Sequence, residues 1–139
     1  MIPREAVART AWGEADMQGI RGMHAVINTA VNRLNSGVRW WGRTLDGICL
    51  FKYQEVHQYS CWNLENRRLA AIRAVDETNP LYAEALRLAD LALVGKLPDI
   101  TNGATHYYNH MIVKTPPRWA RQAPPVFKLE PHWFYRVLN

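Results

Sequence analysis

The stretch of residues 22–35 places the strongest constraint on the fold. Its apolar side chains recur at i, i+3, i+4 and i+7, the spacing of one face of an α-helix; they are Met23, Val26, Ile27, Ala30, Val31 and Leu34. Ser36-Gly37 follows and favours a left-handed helix end. The pattern predicts a core helix whose polar edge is expected to face solvent, with a cleft as the alternative; that edge consists of His24, Asn28, Asn32 and Asn35.

Three further segments have helical patterns. Residues 8–15 are expected to be helical, because one continuous apolar arc on a helical wheel is formed by Val7, Ala8, Ala11, Trp12 and Ala15. The pattern of residues 65–78 predicts a third helix. Asn79-Pro80 is a strong helix start, an N-cap followed by proline at the first helical position, and the helix it opens is expected to run to about Val94.

The rest of the chain lacks this periodicity. Residues 17–21 are expected to form a short turn, and residues 38–62 form an irregular, aromatic segment with a short helix or strand inside it. Regular periodicity fades beyond Lys96, and long helices in the tail are excluded by Pro116, Pro117, Pro124, Pro125 and Pro131. The predicted fold is therefore mainly α, an α+β class with little strand, in a small single domain covering residues 1–139.

Charge and hydropathy limit the classes of partner. The net charge is +5, but the basic residues are scattered, which does not favour a nucleic-acid surface. No stretch approaches the roughly 20 apolar residues of a membrane span. The first residues lack the apolar core of a signal peptide, so synthesis in the cytoplasm is expected. Cys49 and Cys61 are then expected to be buried free thiols.

Glu14 is the residue of segment 8–15 with the clearest chemical potential. It lies beside Val7 at the edge of the apolar arc, whereas Asp16 lies on the opposite face, which is expected to reach water. Desolvation at such a boundary raises the pKa of a carboxyl group while access is kept, as a general acid requires. The alternative is a partly exposed glutamate without function, which is the commoner case for a helix edge.

Other chemistries have weaker support. No Gly-rich phosphate loop follows a strand, and Ser60-Cys61 near His57 has no nucleophile motif around it. His106 and His110 stand four apart, as two zinc ligands on one helical face would, with His132 or Asp99 as a third. The glutamate of the zinc-protease helix motif is missing there, so neither a metal nor a cofactor is expected.

Glycoside chemistry fits the composition better. Six Trp and six Tyr supply faces for sugar stacking, and amide side chains supply hydrogen bonds. The usual glycosidase has two carboxylates about 5 to 10 Å apart, but Asp16 points away and nothing requires another acid to approach Glu14. A single glutamate suits a lytic transglycosylase, in which it protonates the glycosidic oxygen and then takes the proton of the sugar's own 6-hydroxyl, closing an anhydro ring.

Four blocks of sequence occur in an order typical of one family. They are Ala8-Arg9-Thr10-Ala11-Trp12-Gly13-Glu14-Ala15 with Gly22-Met23-His24-Ala25-Val26 and Asn32-Arg33; Gln58-Tyr59-Ser60-Cys61-Trp62-Asn63; Asp99-Ile100-Thr101-Asn102-Gly103-Ala104-Thr105-His106-Tyr107-Tyr108-Asn109; and His132-Trp133-Phe134-Tyr135. Together they resemble the SleB-like cell wall hydrolase family, typified by the spore cortex-lytic enzyme. The resemblance covers nearly the whole chain.

This resemblance implies a small, lysozyme- and lytic-transglycosylase-like fold that cleaves peptidoglycan between N-acetylmuramic acid and N-acetylglucosamine. It implies that Glu14 is the catalytic residue. The implied substrate-binding residues are Gln58, Ser60, Trp62, Thr101, Tyr107 and Tyr108. The expected partner is peptidoglycan, with no nucleic acid, no membrane insertion and a monomeric chain.

One departure from the family pattern concerns the residues after Glu14. The family commonly continues with Arg-Gly-Glu, where this chain has Asp16-Met17-Gln18-Gly19; we expect Glu14 to suffice. The lack of a separate wall-binding module and of a signal peptide resembles a phage endolysin acting on the host wall. The alternatives are muramidase hydrolysis of the same bond, a zinc amidase, and a wall-binding module without activity.

Overall fold

A computed structural model describes residues 1–138 of the chain, and this part contains five α-helices and five short strands. The helices are α1 (Pro3–Ala15), α2 (Gly19–Asn35), α3 (Leu45–Leu50), α4 (Leu69–Ala74) and α5 (Pro80–Leu93). The strands are β1 (Lys52–Tyr53), β2 (Val56–His57), β3 (His106–Asn109), β4 (Phe127–Leu129) and β5 (His132–Tyr135). The fold is mainly α with little strand, as predicted.

Helix α1 is the element on which the other helices pack. It contacts α2, α3 and α5 most extensively. Its predicted apolar arc is confirmed, since each member is at most 7% exposed; the arc consists of Val7, Ala8, Ala11, Trp12 and Ala15. Three alanines in this arc let neighbouring backbones approach closely, which places the end of α1 deep in the fold.

The start of α5 follows the predicted signal. Asn79 Oδ1 accepts hydrogen bonds from the backbone N–H groups of Leu81 at 3.0 Å and Tyr82 at 3.1 Å, and Pro80 occupies the first helical position. These contacts satisfy donors that have no partner within the helix. The predicted end of this helix near Val94 is confirmed to within one residue, since α5 ends at Leu93.

The helix predicted over residues 65–78 is wrong in length, because only Leu69–Ala74 is helical. Asn66 Oδ1 accepts a hydrogen bond from the backbone N–H of Arg68 at 3.1 Å, a local side-chain contact that competes with helix formation. At the other end the Arg9 guanidinium donates to the carbonyl oxygen of Val75 at 2.9 Å. The ends of this segment therefore bind other parts of the chain instead of extending the helix.

The polar edge of α2 faces solvent fully only at Asn35, and the rest of it is covered, contrary to the prediction. Asn28 is 1% exposed; its Nδ2 donates to the carbonyl of Pro98 at 3.0 Å, and its Oδ1 accepts from the N–H of Ile100 at 2.9 Å. Asn32 Nδ2 donates to the carbonyl of Ala104 at 2.8 Å. This edge satisfies the backbone of the loop that follows α5 and so fixes the entry into β3. Helix α2 also begins earlier than predicted, at Gly19, directly after a 3₁₀ turn over Asp16–Gln18.

The three longer strands form an antiparallel sheet in the order β3-β5-β4. Tyr107 of β3 lies opposite Phe134 of β5, and Asn109 lies opposite His132. Strands β1 and β2 form a separate hairpin. The sheet brings the aromatic segment after the helices back towards α1. Among the described helices, none is long and apolar enough to cross a membrane.

Candidate active site

Glu14 lies where two adjoining cavities meet. The first, here called the polar cavity, has a volume of about 380 Å³ and is also lined by Asn63, Glu65, Asn66 and Arg68. The second, here called the aromatic cavity, has a volume of about 360 Å³ and is also lined by Arg33, Gln58, Tyr107, Tyr108 and Trp119. Glu14, Ser60 and His132 line both. The two cavities together are here called the groove, and Glu14 lies at their junction.

Both oxygens of the Glu14 carboxyl have hydrogen-bond donors. The Tyr107 hydroxyl donates to Oε1, and the backbone N–H of Cys61 donates to Oε2 at 2.9 Å. Burial raises the pKa of Glu14 above its ordinary value, and the two hydrogen bonds oppose this shift without reversing it. The result is a carboxyl group that is protonated more readily than an ordinary glutamate and that also has donors for its anion, as a group that gives and retakes a proton needs.

The Cys61 donor is held against α1 by its neighbours. Trp62, next in the 3₁₀ turn Ser60–Trp62, donates its indole N–H to Thr10 Oγ1 at 2.8 Å. Gly13 makes the approach possible, because a Cβ at this position would lie 2.8 Å from Ile72 Cδ1 and 3.0 Å from Cys61 Sγ. The glycine before Glu14 is thus required by the packing of the turn that holds the carboxyl group.

Tyr107 is positioned by the sheet. Its ring centroid lies 5.2 Å from that of Phe134 and 5.1 Å from that of His132, both on β5. Burial and the nearby Glu14 raise the pKa of Tyr107 well above its ordinary value. The hydroxyl therefore stays protonated and acts as a donor throughout the neutral range.

The remaining acids near Glu14 differ in their availability. Asp16 is held by Arg68, whose two terminal nitrogens donate to its carboxylate at 3.0 and 2.9 Å. It lies in the 3₁₀ turn beyond the end of α1, so the helical-wheel placement of Asp16 on a free, solvent-facing side is wrong. Glu65 is exposed and lines the polar cavity together with Glu14.

A family model described as Cell Wall Hydrolase matches residues 17–135. The match covers most of the chain, including the turn that carries Cys61 and the strand that carries Tyr107. This chain belongs to the cell wall hydrolase family. It is an enzyme that acts on peptidoglycan. The matched range begins three residues beyond Glu14. No curated protein matches the chain, and no solved structure matches it.

Four of the six predicted substrate-binding residues of this cell wall hydrolase line the groove. Gln58, Tyr107 and Tyr108 line the aromatic cavity, and Ser60 lines both cavities. These residues come from two segments that are distant in sequence and meet at the end of α1.

Thr101 and Trp62 are not brought into the groove. Thr101 is 0% exposed, and its hydroxyl donates to Asp99 Oδ1 at 2.7 Å within the loop before β3. Trp62 is 6% exposed, and its indole N–H is taken up by Thr10. Both side chains are engaged in packing and hydrogen bonding inside the protein and line neither cavity, and their contact with substrate stays a prediction from the sequence.

Two residues that line the site, His132 and Arg33, are not indicated as site residues by the sequence. His132 lines both cavities, and burial lowers the pKa of His132, which keeps its ring neutral. Arg33 is 6% exposed and lines the aromatic cavity. The signal for Arg33 was available, because an arginine beside the apolar stripe of α2 needs internal partners once the helix is packed on both sides.

The helical spacing assumed for a zinc pair is absent from the structure. His106 and His110 stand at the start of β3 and just beyond its end, and a strand separates residues four apart by about 13 Å. His106 packs between Trp41 and Trp119, whereas His110 contacts Glu130. No group of three or more potential metal ligands occurs among residues 1–138. Cys49 and Cys61 are buried free thiols, as predicted.

Proposed function

We propose that this enzyme is a lytic transglycosylase that cleaves the glycan strand between N-acetylmuramic acid and N-acetylglucosamine, with Glu14 as general acid and then general base. The observation that carries the proposal is the position of Glu14. It lies at the junction of two cavities, with a raised pKa and a donor on each oxygen. A sugar in each cavity would place the linking oxygen beside the carboxyl group.

The reaction has two proton transfers on the same carboxyl group. Protonated Glu14 gives its proton to the glycosidic oxygen while the bond from that oxygen to C1 of the muramyl residue breaks, and the N-acetylglucosamine leaves with a 4-hydroxyl. The Glu14 carboxylate then removes the proton of the muramyl 6-hydroxyl as that oxygen bonds to C1. Water is neither consumed nor released, and the donors from Tyr107 and Cys61 stabilise the carboxylate between the two steps.

Substrate contacts follow from the lining of the groove. Gln58 and Ser60 supply amide and hydroxyl groups for the acetamido and hydroxyl substituents of the sugars, and Tyr108 belongs to the wall of the aromatic cavity beside Trp119. Aromatic faces bind the apolar face of a sugar ring. The aromatic cavity is thus suited to one sugar next to the cleaved bond.

The second candidate is muramidase hydrolysis of the same bond, which Glu65 favours. This carboxylate lines the polar cavity together with Glu14, and hydrolysing glycosidases use such a pair. Asp16 is the weaker partner, because Arg68 occupies its carboxylate. The expectation that the enzyme acts as a phage endolysin stays a prediction from the sequence.

Mass spectrometry of the muropeptides released from purified cell walls tests the proposal. Wild-type enzyme is expected to release products with anhydro ends, lighter by one water than hydrolytic products, and Glu14→Gln is expected to lose at least ~100-fold of the release rate. The matched control is Glu77→Gln, at an exposed glutamate outside both cavities. Products with ordinary reducing ends would indicate a muramidase, and undiminished release by Glu14→Gln would remove Glu14 from the mechanism.

A further inference from the structure

Arg33 brings a positive charge to the aromatic cavity without a carboxylate beside it. Its side chain is 6% exposed and lines the cavity. None of the ion pairs formed by residues 1–138 includes it. A buried cation without an ionic partner is costly unless something binds it, so its surroundings decide what role it has.

The protein satisfies Arg33 in part. Its Nε donates to the carbonyl of Thr105 at 2.7 Å, and Nη1 reaches Gln58 Oε1 at 3.4 Å. The guanidinium also lies over the rings of Trp41 and Tyr59, at 5.0 and 5.4 Å from their centroids. These contacts use two of the five N–H groups that an arginine carries. They fix the plane of the guanidinium and leave donors for a further acceptor.

The other groups around the cavity do not balance this charge. Burial and the Arg33 charge lower the pKa of His106 to about 3, and burial lowers the pKa of His132, so both imidazoles are neutral at pH 7. The pKa of Tyr59 is raised to about 12, mainly by burial. Among the described residues that line this cavity, Glu14 is the one acid; its carboxyl is held by Tyr107 and Cys61 and not by Arg33, and burial raises its pKa. The Arg33 guanidinium is therefore not paired with any acidic group of this lining.

We propose that Arg33 binds a carboxylate of the muramyl residue, supplied either by the lactyl group of a strand without stem peptide or by the stem peptide itself. A planar guanidinium with free N–H groups suits a carboxylate better than any neutral sugar substituent. The inference rests on the proposed glycan cleavage for its choice of substrate. N-acetylglucosamine carries no carboxylate, so Arg33 assigns the muramyl residue to the aromatic cavity and N-acetylglucosamine to the polar cavity.

Binding of small ligands by calorimetry tests this assignment. The ligands are two matched pairs based on N-acetylglucosaminyl-N-acetylmuramic acid, which lacks the bond that the enzyme is proposed to cleave. One pair has a free lactyl carboxylate or its primary amide; the other has alanine on the lactyl group, with a free carboxylate or its primary amide. We expect the acid of one pair to bind about 10- to 100-fold more tightly than its amide, and the pair that responds identifies the source of the carboxylate.

The same titrations with Arg33→Met and Arg33→Lys separate binding from structure. Arg33→Met is expected to bind the acid only as tightly as wild type binds the amide, with its affinity for the amide unchanged. Arg33→Lys is expected to keep part of the preference for the acid because it keeps the charge. Arg39→Met, at an exposed arginine outside the cavity, is expected to behave as wild type. Loss of affinity for acid and amide alike in Arg33→Met would indicate a merely structural role.

The wild-type comparison alone can overturn the proposal, even if Arg33→Met fails to fold. Dissociation constants that agree within about twofold for acid and amide in both pairs would do so. Because these ligands are not cleaved, a failure of the proposed reaction shows in the muropeptide assay and not here. The two proposals therefore fail separately.

Discussion

The Tyr107 hydroxyl donates a hydrogen bond to Oε1 of Glu14 across 93 residues of sequence. This contact joins the end of α1 to the first strand of the sheet. Together with the Cys61 N–H it gives the carboxyl group one donor from the lining of each cavity. The protonation behaviour of Glu14 therefore depends on two segments that are far from it in the chain.

Tyr107→Phe is expected to shift the alkaline limb of the kcat/KM profile to higher pH. The lost hydrogen bond favours the ionised carboxylate, so its removal raises the pKa of Glu14 further. The acid form then persists to higher pH, while the rate at the optimum falls because the carboxylate loses a donor. The measurement is kcat/KM on soluble glycan strands across pH, with Tyr53→Phe, an exposed tyrosine of β1, as the control. A limb that moves to lower pH contradicts this account.

Glu14→Gln is expected to be more stable than wild type at neutral pH. The pKa of Glu14 is higher in the folded than in the unfolded chain, so the stability of wild type is greatest below the unfolded pKa and declines as pH rises through the folded pKa. Glutamine has no such dependence. Urea denaturation at a series of pH values should show the two proteins diverging as pH rises. A difference that grows towards acid pH would refute the assigned direction.

Glu65→Gln separates the two cleavage chemistries. A transglycosylase that relies on Glu14 alone is expected to keep its rate within about threefold, whereas a muramidase that uses Glu65 as its second carboxylate should lose roughly 100-fold or more. The assay is the rate of muropeptide release. Glu55→Gln is the matched control, since Glu55 is exposed and pairs with Lys52 away from the groove.

Asn28→Ala is expected to lower the free energy of unfolding by about 1 to 3 kcal/mol, because the buried Asn28 side chain loses its hydrogen bonds to two backbone groups. These are the Pro98 carbonyl and the Ile100 N–H. Asn35→Ala, at an exposed position of the same helix, should change stability by less than about 0.5 kcal/mol. Chemical denaturation of both variants checks the difference. Equal effects would mean that the loop before β3 does not depend on α2.

The helical core could be predicted well because its signals are local. The apolar stripe of α2 and the Asn79-Pro80 start of α5 depend on residues within a few positions of each other. Glu14 could be placed at the edge of the core by the same reasoning. What it contacts could not, since Cys61 and Tyr107 reach it only through tertiary packing.

The errors have a common physical origin in polar side chains that bind distant backbone. Asn28 sits on a helix edge that looks solvated until the loop after α5 packs against it. Asn66 holds its own neighbours in a turn where periodicity predicts helix. Strand β3 was not predicted because its pairing with β5 is long-range. In each case a partner outside the local window decided the conformation.

The pairing of β3 with β5 determines when, during synthesis of the chain, the hydrogen bonds to Glu14 can form. Synthesis proceeds from the N-terminus, so Glu14 leaves the ribosome before the strand that carries Tyr107 and before its partner strand β5. A nascent or prematurely terminated chain carries the acidic residue without the donor that tunes it. The two donors to the Glu14 carboxyl are therefore both in place only in a chain that extends through β5.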